Sequence, residues 1–263
     1  MNNLLFEIPI VTYHKICYDK EFGINVVRPS QFQRHMKYLY ERNFHPITFI
    51  DIMKENIPSN PIIITFDDGY QSVFEYALPI LQKYHFRAVV YIITGFIGKY
   101  NQWDAKLSRN RFMHLNKKEI YALHQAGMEI GSHGKTHRGL TFLNNKDILN
   151  ELSESFELLK ELTSQKVLSV AYPFGLQNNQ IQQMARKVGY KFGCINLWGI
   201  QLENNPFCLK RIPIYRIDSM NALHNKLCSR WKHQIEILKL KILSSPAIMT
   251  PLYQKYIKKF KLN

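Results

Sequence analysis

The sequence of 263 residues is short of acidic residues and cysteines, and it has no long apolar run. Its 20 Asp and Glu face 35 Lys and Arg, which gives a formal net charge of +15 at pH 7. The four cysteines, Cys17, Cys194, Cys208 and Cys228, show no paired spacing, so we predict reduced thiols rather than a disulfide framework. No segment approaches the roughly 18 to 20 continuous apolar residues of a membrane span.

The first residues also lack the pattern of a signal peptide. Residues 1–7 have no basic start and no small-residue cleavage site, and Glu7 interrupts their apolar segment. Together with the four thiols, this predicts a cytoplasmic protein.

The excess of positive charge is greatest near the end of the chain. Residues 229–263 carry eight Lys or Arg and one acid, Glu236. They could form a solvated basic tail. Alternatively, they could contact an anionic membrane at its inner face, because Trp231, Ile235 and Leu238 share one helical face beside basic residues. We expect no nucleic-acid binding, since no recognised binding motif is present.

Apolar segments alternate with amphipathic helical segments along most of the chain. The predicted strands span residues 8–13, 62–66, 88–93, 128–131, 168–172 and 192–195. The predicted helices span residues 30–41, 72–84, 117–126, 146–162 and 178–188. This alternation predicts an α/β fold with a parallel sheet, and the number of units favours a barrel. It fades after about residue 219, so we predict a catalytic barrel over residues 1–220 and a basic helical extension over residues 221–263.

Two carboxylates stand at the end of one predicted strand. The apolar run 62–64 leads into Thr-Phe-Asp-Asp-Gly at residues 65–69, which includes Asp67 and Asp68. An Asp-Gly pair can be an ordinary turn. In a parallel α/β enzyme, however, the carboxyl ends of the strands carry the chemistry.

Two further motifs follow other strands. Ser-His-Gly-Lys-Thr-His at residues 132–137 places His133 and His137 four residues apart, and Ala-Tyr-Pro-Phe-Gly occupies residues 171–175. Two imidazoles and an aspartate from another strand form a two-His, one-carboxylate set with open positions for water and substrate, which is typical of a catalytic metal site.

In this order, the three motifs resemble those of the polysaccharide deacetylase family (carbohydrate esterase family 4, the NodB homology domain). The family pattern is Thr-Phe-Asp-Asp-Gly, then His-Ser/Thr-x-x-His, then Arg-x-Pro-Tyr/Phe-Gly. Residues 9–14, 29–48, 115–137 and 209–215 are similar to the poly-N-acetylglucosamine deacetylase branch, so the likeness covers about residues 8–220. It implies a distorted, usually seven-stranded (β/α)-barrel and the metal-dependent removal of acetyl groups from an N-acetylated sugar.

The resemblance also implies roles for single residues. Asp67 would be the general base, and the backbone N–H of Phe174 would help to bind the oxyanion. The metal ligands would be Asp68, His133 and His137. Zinc suits such a mixed site, and cobalt, nickel or manganese would also fit. His14 is a further candidate catalytic residue after the first strand, and His224 is the second candidate for that role.

Predicted substrate contacts and departures from the family pattern complete the site. We predict substrate contacts by Tyr172, Pro173, Trp103 and Arg211. Trp103 lies in the irregular segment 95–116, where it could stack on a sugar or pack the loop. Ala171 stands where the family usually has an arginine that pairs with the catalytic aspartate, and Arg211 is a candidate to occupy that space. The family's late Leu-x-His motif is not evident.

Three functions are therefore compared. The first is N-deacetylation of an oligosaccharide, a polysaccharide or a lipid-linked glycan. The second is deformylation or another amide hydrolysis on a lipid-linked or small molecule, which the same site geometry would permit. The third is an inactive carbohydrate-binding module, which the departures from the pattern would explain but the intact acids and histidines argue against.

Overall fold

The computed structural model describes residues 3–18, 24–101, 112–196 and 204–228. The strands are β1 (Ile10–Tyr13), β2 (Lys15–Ile16), β3 (Val26–Val27), β4 (His45–Ile47), β5 (Pro61–Phe66), β6 (Val89–Ile92), β7 (Glu129–Ser132), β8 (Ser169–Ala171), β9 (Phe192–Ile195), β10 (Leu209–Lys210) and β11 (Ile212–Pro213). The α-helices are α1 (Pro29–Glu41), α2 (Phe49–Met53), α3 (Leu78–Lys83), α4 (Lys117–Gln125), α5 (Asn145–Thr163), α6 (Asn179–Val188) and α7 (Met220–Cys228). Each predicted strand and helix is present, although a π-helical segment, Val73–Ala77, forms the first part of the predicted helix 72–84.

The main sheet is parallel and nearly closed. Its order is β10-β9-β8-β7-β6-β5-β1-β11, and β4 pairs with the first half of β5. Arg211 alone separates β10 from β11, the two ends of this order. If β10 and β11 are counted as one interrupted strand, they complete a ring of seven strands. The predicted distorted barrel is confirmed.

The alternation of side chains divides the apolar residues of the strands between two clusters. Residues such as Val11 and Ile64 pack against the helices. Their neighbours Ile10 and Ile63 belong to a second cluster on the other face of the strands, inside the barrel. Phe49 of α2 joins this second cluster near the amino ends of the strands. The carboxyl ends are thereby left for polar side chains.

The last described helix packs against the barrel. Leu223 of α7 lies in the helix-facing core, and Lys226 donates to the Asp218 carboxylate (2.5 Å) and to the Pro213 carbonyl (2.9 Å). The start of the predicted extension therefore contacts the barrel, whereas residues 229–263 lie outside the described part of the chain. Within the described part, no helix has both the length and the apolar character needed to cross a membrane.

Candidate active site

Alternation along the strands decides which side chains reach the mouth of the barrel. Ile63 of β5 points inward, and Asp67 lies an even number of positions further along the chain. Its backbone N–H donates to the Tyr13 carbonyl (2.9 Å), so the strand geometry continues to this aspartate. His133 continues β7 in the same way, with its N–H on the Ile92 carbonyl (2.8 Å). Residues from two separate motifs therefore meet at one end of the barrel.

Asp68, His133 and His137 form a compact set of metal-ligating groups. Their ligand atoms all lie within 4.8 Å of one another. Asp68 Oδ1 is 3.4 Å from Nε2 of each imidazole. All three side chains are buried. Asp68 and His137 have φ values of 69° and 56°, so their chain segments turn in the left-handed region where the ligands converge.

The donor chemistry of this set fits a divalent cation. Nδ1 of His133 donates to the Ala171 carbonyl (2.6 Å), because a carbonyl can only accept, and this leaves Nε2 facing Asp68 as the atom that would bind the cation. Such a second hydrogen bond is the usual way of orienting a histidine ligand. Burial lowers the pKa of His137 to about 3, which keeps this imidazole neutral. One carboxylate and two imidazoles suit zinc, cobalt, nickel or manganese.

Asp67 forms a buried ion pair with Arg211. The guanidinium Nη1 and Nη2 lie 2.6 and 2.7 Å from Oδ1 and Oδ2 of the carboxylate. Burial alone would raise the pKa of Asp67, but the charges of Arg211 and His133 outweigh this effect and hold the pKa below its usual value. Asp67 is therefore ionised, as a general base must be.

Arg211 supplies the cation that Ala171 cannot. It reaches Asp67 from the closing strand pair β10–β11 rather than from β8. The side chain is 3% exposed, and its Nε also donates to the Ile195 carbonyl (3.4 Å). The sequence predicts a substrate contact for Arg211, but its buried guanidinium is instead the partner of the Asp67 carboxylate.

The third motif lies against the candidate metal ligands. Phe174 has φ 60° and ψ 5°, and its ring is 4.6 Å from that of His137. Asn196 donates to the Phe174 carbonyl (2.7 Å). Gly175 has φ 71°, and a Cβ there would lie 2.4 Å from Asn196 Oδ1. A glycine is therefore required where the loop turns beside the site.

The predicted substrate contacts differ in their positions. Pro173 of the third motif is buried and lies close to Gly134 of the second motif. Tyr172 is 1% exposed and packs in the helix-facing core, which argues against contact between its side chain and a substrate. Trp103 lies outside the described residues, so its role stays a prediction.

The two candidate histidines occupy different environments. His14 lies close enough to Asp67 and Asp68 for both charges to act on its pKa, although burial has the larger effect and lowers it. Its Nδ1 is buried and has no hydrogen-bond partner among the described residues. His224, in contrast, is bonded through Nδ1 to the hydroxyl of Tyr38 (2.7 Å) where α7 contacts α1. This engagement favours His14 over His224 as the histidine available to the site.

Glu151 is a site residue that the sequence analysis missed. Its carboxylate accepts from the backbone N–H groups of Lys135 (2.9 Å) and Thr136 (2.8 Å), and also from the Thr136 hydroxyl. It therefore holds the loop between the two histidines. Glu151 lies between Ile148 and Leu152 on the buried face of α5, and an acid on an apolar helical face was the available signal.

His114 is a second missed residue. Its Nδ1 donates to the backbone carbonyl of Asp68 (2.8 Å), and its ring stacks on that of Tyr70 with 4.8 Å between centroids. His114 thus supports the turn that presents Asp68. We find no pattern in the sequence around His114 that indicates this contact.

Comparison with known proteins gives the family. The family profile described as "Polysaccharide deacetylase" matches residues 54–193. The poly-beta-1,6-N-acetyl-D-glucosamine N-deacetylase of Staphylococcus aureus (strain MRSA252) is 30% identical over 211 residues, which cover 74% of this chain and 70% of that protein. YxkH of Bacillus subtilis (strain 168) is 28% identical over 192 residues, which cover 71% of this chain and 63% of YxkH.

Solved structures share the fold. The Streptococcus pyogenes deacetylase PplD, solved in complex with acetate, has a TM-score of 0.72 at 24% identity, covering 84% of this chain and 97% of PplD. IcaB from Ammonifex degensii has a TM-score of 0.69 at 18% identity, covering 84% of this chain and 96% of IcaB.

The barrel and its Asp-Asp-His-His set define the class of the protein, a hydrolase built on a distorted α/β barrel. The chain belongs to the polysaccharide deacetylase family. The membership predicted from the three motifs is confirmed.

Proposed function

We propose that the chain is a metal-dependent hydrolase that removes the acetyl group from an N-acetylated glycan. The observation that carries this proposal is the position of Asp67, ionised by Arg211, beside the ligand set of Asp68, His133 and His137. The family membership and the named activity of the Staphylococcus aureus relative support it.

Asp67 has the properties of a general base. When bound, a divalent cation supplies a Lewis acid for the acetyl carbonyl and lowers the pKa of a water molecule. Asp67 takes the proton of the attacking water. Because Arg211 occupies both carboxylate oxygens, it also fixes the orientation of this base. A well-placed base of this kind contributes roughly 10²- to 10⁴-fold to the rate.

The remaining steps fall to the third motif and to His14. The backbone N–H of Phe174 donates to the developing oxyanion, and one such donor is worth about 3 to 4 kcal/mol. Burial lowers the pKa of His14 and leaves it neutral, so His14 passes to the leaving amine the proton that Asp67 has taken from the water. Its buried Nδ1 without a described partner and its closeness to both aspartates support this role.

The substrate and the location are further parts of the proposal. The Staphylococcus aureus relative supports a polymer or oligomer of N-acetylglucosamine as the substrate. A cytoplasmic location is also part of the proposal, and the absence of paired spacing among the four cysteines of the sequence supports it. We also propose that the basic residues 229–263 contact anionic membranes. Binding of the full-length protein to phosphatidylglycerol vesicles at low salt, but not to phosphatidylcholine vesicles, would support this contact.

The test of the enzymatic function is acetate release from N-acetylglucosamine oligomers by metal-loaded protein. Activity should require the metal and should be lost in Asp67→Asn and His133→Ala. Glu161→Gln, an exposed change on α5, serves as the control and should retain activity. Metal binding without acetate release would overturn the proposal, and formylated and lipid-linked substrates would then test the alternative amidase. If no metal binds, the binding-module alternative becomes the better account.

A further inference from the structure

A groove of about 580 Å³ lies between the start of α1 and the turn after β11. Arg28 and Arg34 line it from the α1 side, and Arg216 lines it from the turn. The backbone N–H of Arg216 donates to the Ile24 carbonyl (2.9 Å), which joins this turn to the segment before α1. Because β11 runs parallel to β1, the groove lies at the carboxyl end of the barrel, the end that carries Asp67.

Among the described residues, no acid neutralises the positive charge of the groove. Within the described part of the chain, no ion pair joins any of the three guanidinium groups to a carboxylate. Asp218 also lines the groove, but its carboxylate already accepts from Lys226 Nζ (2.5 Å) and from the Tyr215 backbone N–H (2.8 Å). The three arginines are exposed, so they are available to a ligand.

A buried amide fixes the shape of the groove. Gln31 Nε2 donates to the backbone carbonyls of Arg216 (3.3 Å) and Asp218 (3.0 Å). It thereby ties the first turn of α1 to the opposite wall. This turn contains no acid, and the N-cap position is occupied by Arg28, so the positive end of a 13-residue helix adds to the charge of the arginines. Such a concentration of positive charge is relieved when an anion binds.

We propose that this groove is an anion subsite that takes a phosphoryl group carried by the glycan substrate. A phosphoryl group is compact, carries up to two negative charges and offers three acceptor oxygens, so several guanidinium groups can bind it at once. The groove lies at the same end of the barrel as Asp67, which suits a group carried by the substrate better than a membrane surface. The identity of the glycan rests on the proposed function, whereas the anion site rests on the groove itself.

The first experiment measures binding of pyrophosphate to the full-length protein by calorimetry at constant ionic strength. The triple variant Arg28→Gln/Arg34→Gln/Arg216→Gln should bind at least about tenfold more weakly than the wild type. Arg42→Gln removes the same charge at the other end of α1 and should change the affinity less than about twofold. Equal binding by the wild type and the triple variant would overturn the proposal.

The second experiment compares kcat/KM for neutral N-acetylglucosamine oligomers with that for the same oligomers carrying a terminal phosphate. The ratio of phosphorylated to neutral should exceed one in the wild type and in Arg42→Gln, and it should fall about tenfold or more in the triple variant. A ratio that is the same in all three proteins would refute the subsite. The subsite would also be refuted if binding to phosphatidylglycerol vesicles required the three arginines while a terminal phosphate gave no increase in kcat/KM for the oligomers. If neither oligomer is cleaved, the proposed function fails, and pyrophosphate binding still decides whether the groove takes anions.

Discussion

Replacing Arg211 with methionine would remove the guanidinium that holds Asp67 in its ionised form. Two hydrogen bonds of 2.6 and 2.7 Å join the groups, and both side chains are buried. The variant leaves a buried carboxylate without its cation. Breaking such a pair from one side costs about 3 to 5 kcal/mol, because the remaining charge is uncompensated. We therefore expect Arg211→Met to lower the free energy of unfolding by that amount.

The double variant Arg211→Met/Asp67→Asn separates lost packing from the buried charge. With neither charge present, the penalty for an unpaired carboxylate disappears, so the double variant should be more stable than the sum of the single changes predicts, by on the order of 3 kcal/mol. Arg211→Lys keeps the charge but loses the two-pronged geometry, so its stability should lie between those of the wild type and Arg211→Met.

Urea unfolding of the metal-free protein, followed by circular dichroism, measures these differences. The activity of the metal-loaded Arg211→Met variant should also fall, roughly 10²- to 10⁴-fold in kcat/KM, because burial then raises the pKa of Asp67 and the base is lost. A stability loss below about 1 kcal/mol, the level of an exposed ion pair, would refute the account of Asp67 and Arg211 as a coupled buried pair.

Three further predictions concern Glu129, Glu151 and the metal. Burial raises the pKa of Glu129 from 4.5 to about 7. Its contribution to stability is therefore fully present below pH 4.5 and is lost as the pH rises through about 7, a change of about 3 kcal/mol in the free energy of unfolding. Urea unfolding across this pH range should show the change in the wild type but not in Glu129→Gln. Identical pH profiles of the two proteins would contradict the account of Glu129 as a buried acid. Glu151→Ala should weaken zinc binding about 10- to 100-fold in calorimetry, since Glu151 holds the loop between the ligands. Glu161→Gln, an exposed change on the same helix, should leave zinc binding unchanged. Chelation of the metal should abolish acetate release but leave the far-ultraviolet circular dichroism spectrum unchanged, since the barrel core does not include the ligand set. Unfolding on chelation would show instead that the metal is structural.

The arginine that serves Asp67 shows where prediction from the sequence becomes uncertain. The absence of an arginine at Ala171 was visible, and Arg211 was recognised as a candidate replacement. The ion pair itself spans 144 residues of the chain. It forms because β10 pairs with β9 while β11 pairs with β1, which places Arg211 where the ring closes. Two strands of two residues each carry too little apolar pattern to be predicted.

Glu151 and the arginine groove depend on the tertiary structure for a similar reason. The function of Glu151 requires α5 to pack beneath the loop that holds the two histidines. Arg28 and Arg216 are far apart in the sequence and come together because α1 packs beside the turn after β11. Contacts between distant segments produce no local periodicity in the sequence, so they cannot be predicted from it.

By itself, the sequence determined the family, the barrel and the four central residues Asp67, Asp68, His133 and His137. It could do so because each of these features is local: strands and helices have their own periods, and each motif directly follows a strand. The tertiary structure alone decided which cation neutralises Asp67, which acid supports the ligand loop and which arginines share a groove. These contacts arise only when the sheet closes and brings the carboxyl ends of distant strands to one mouth.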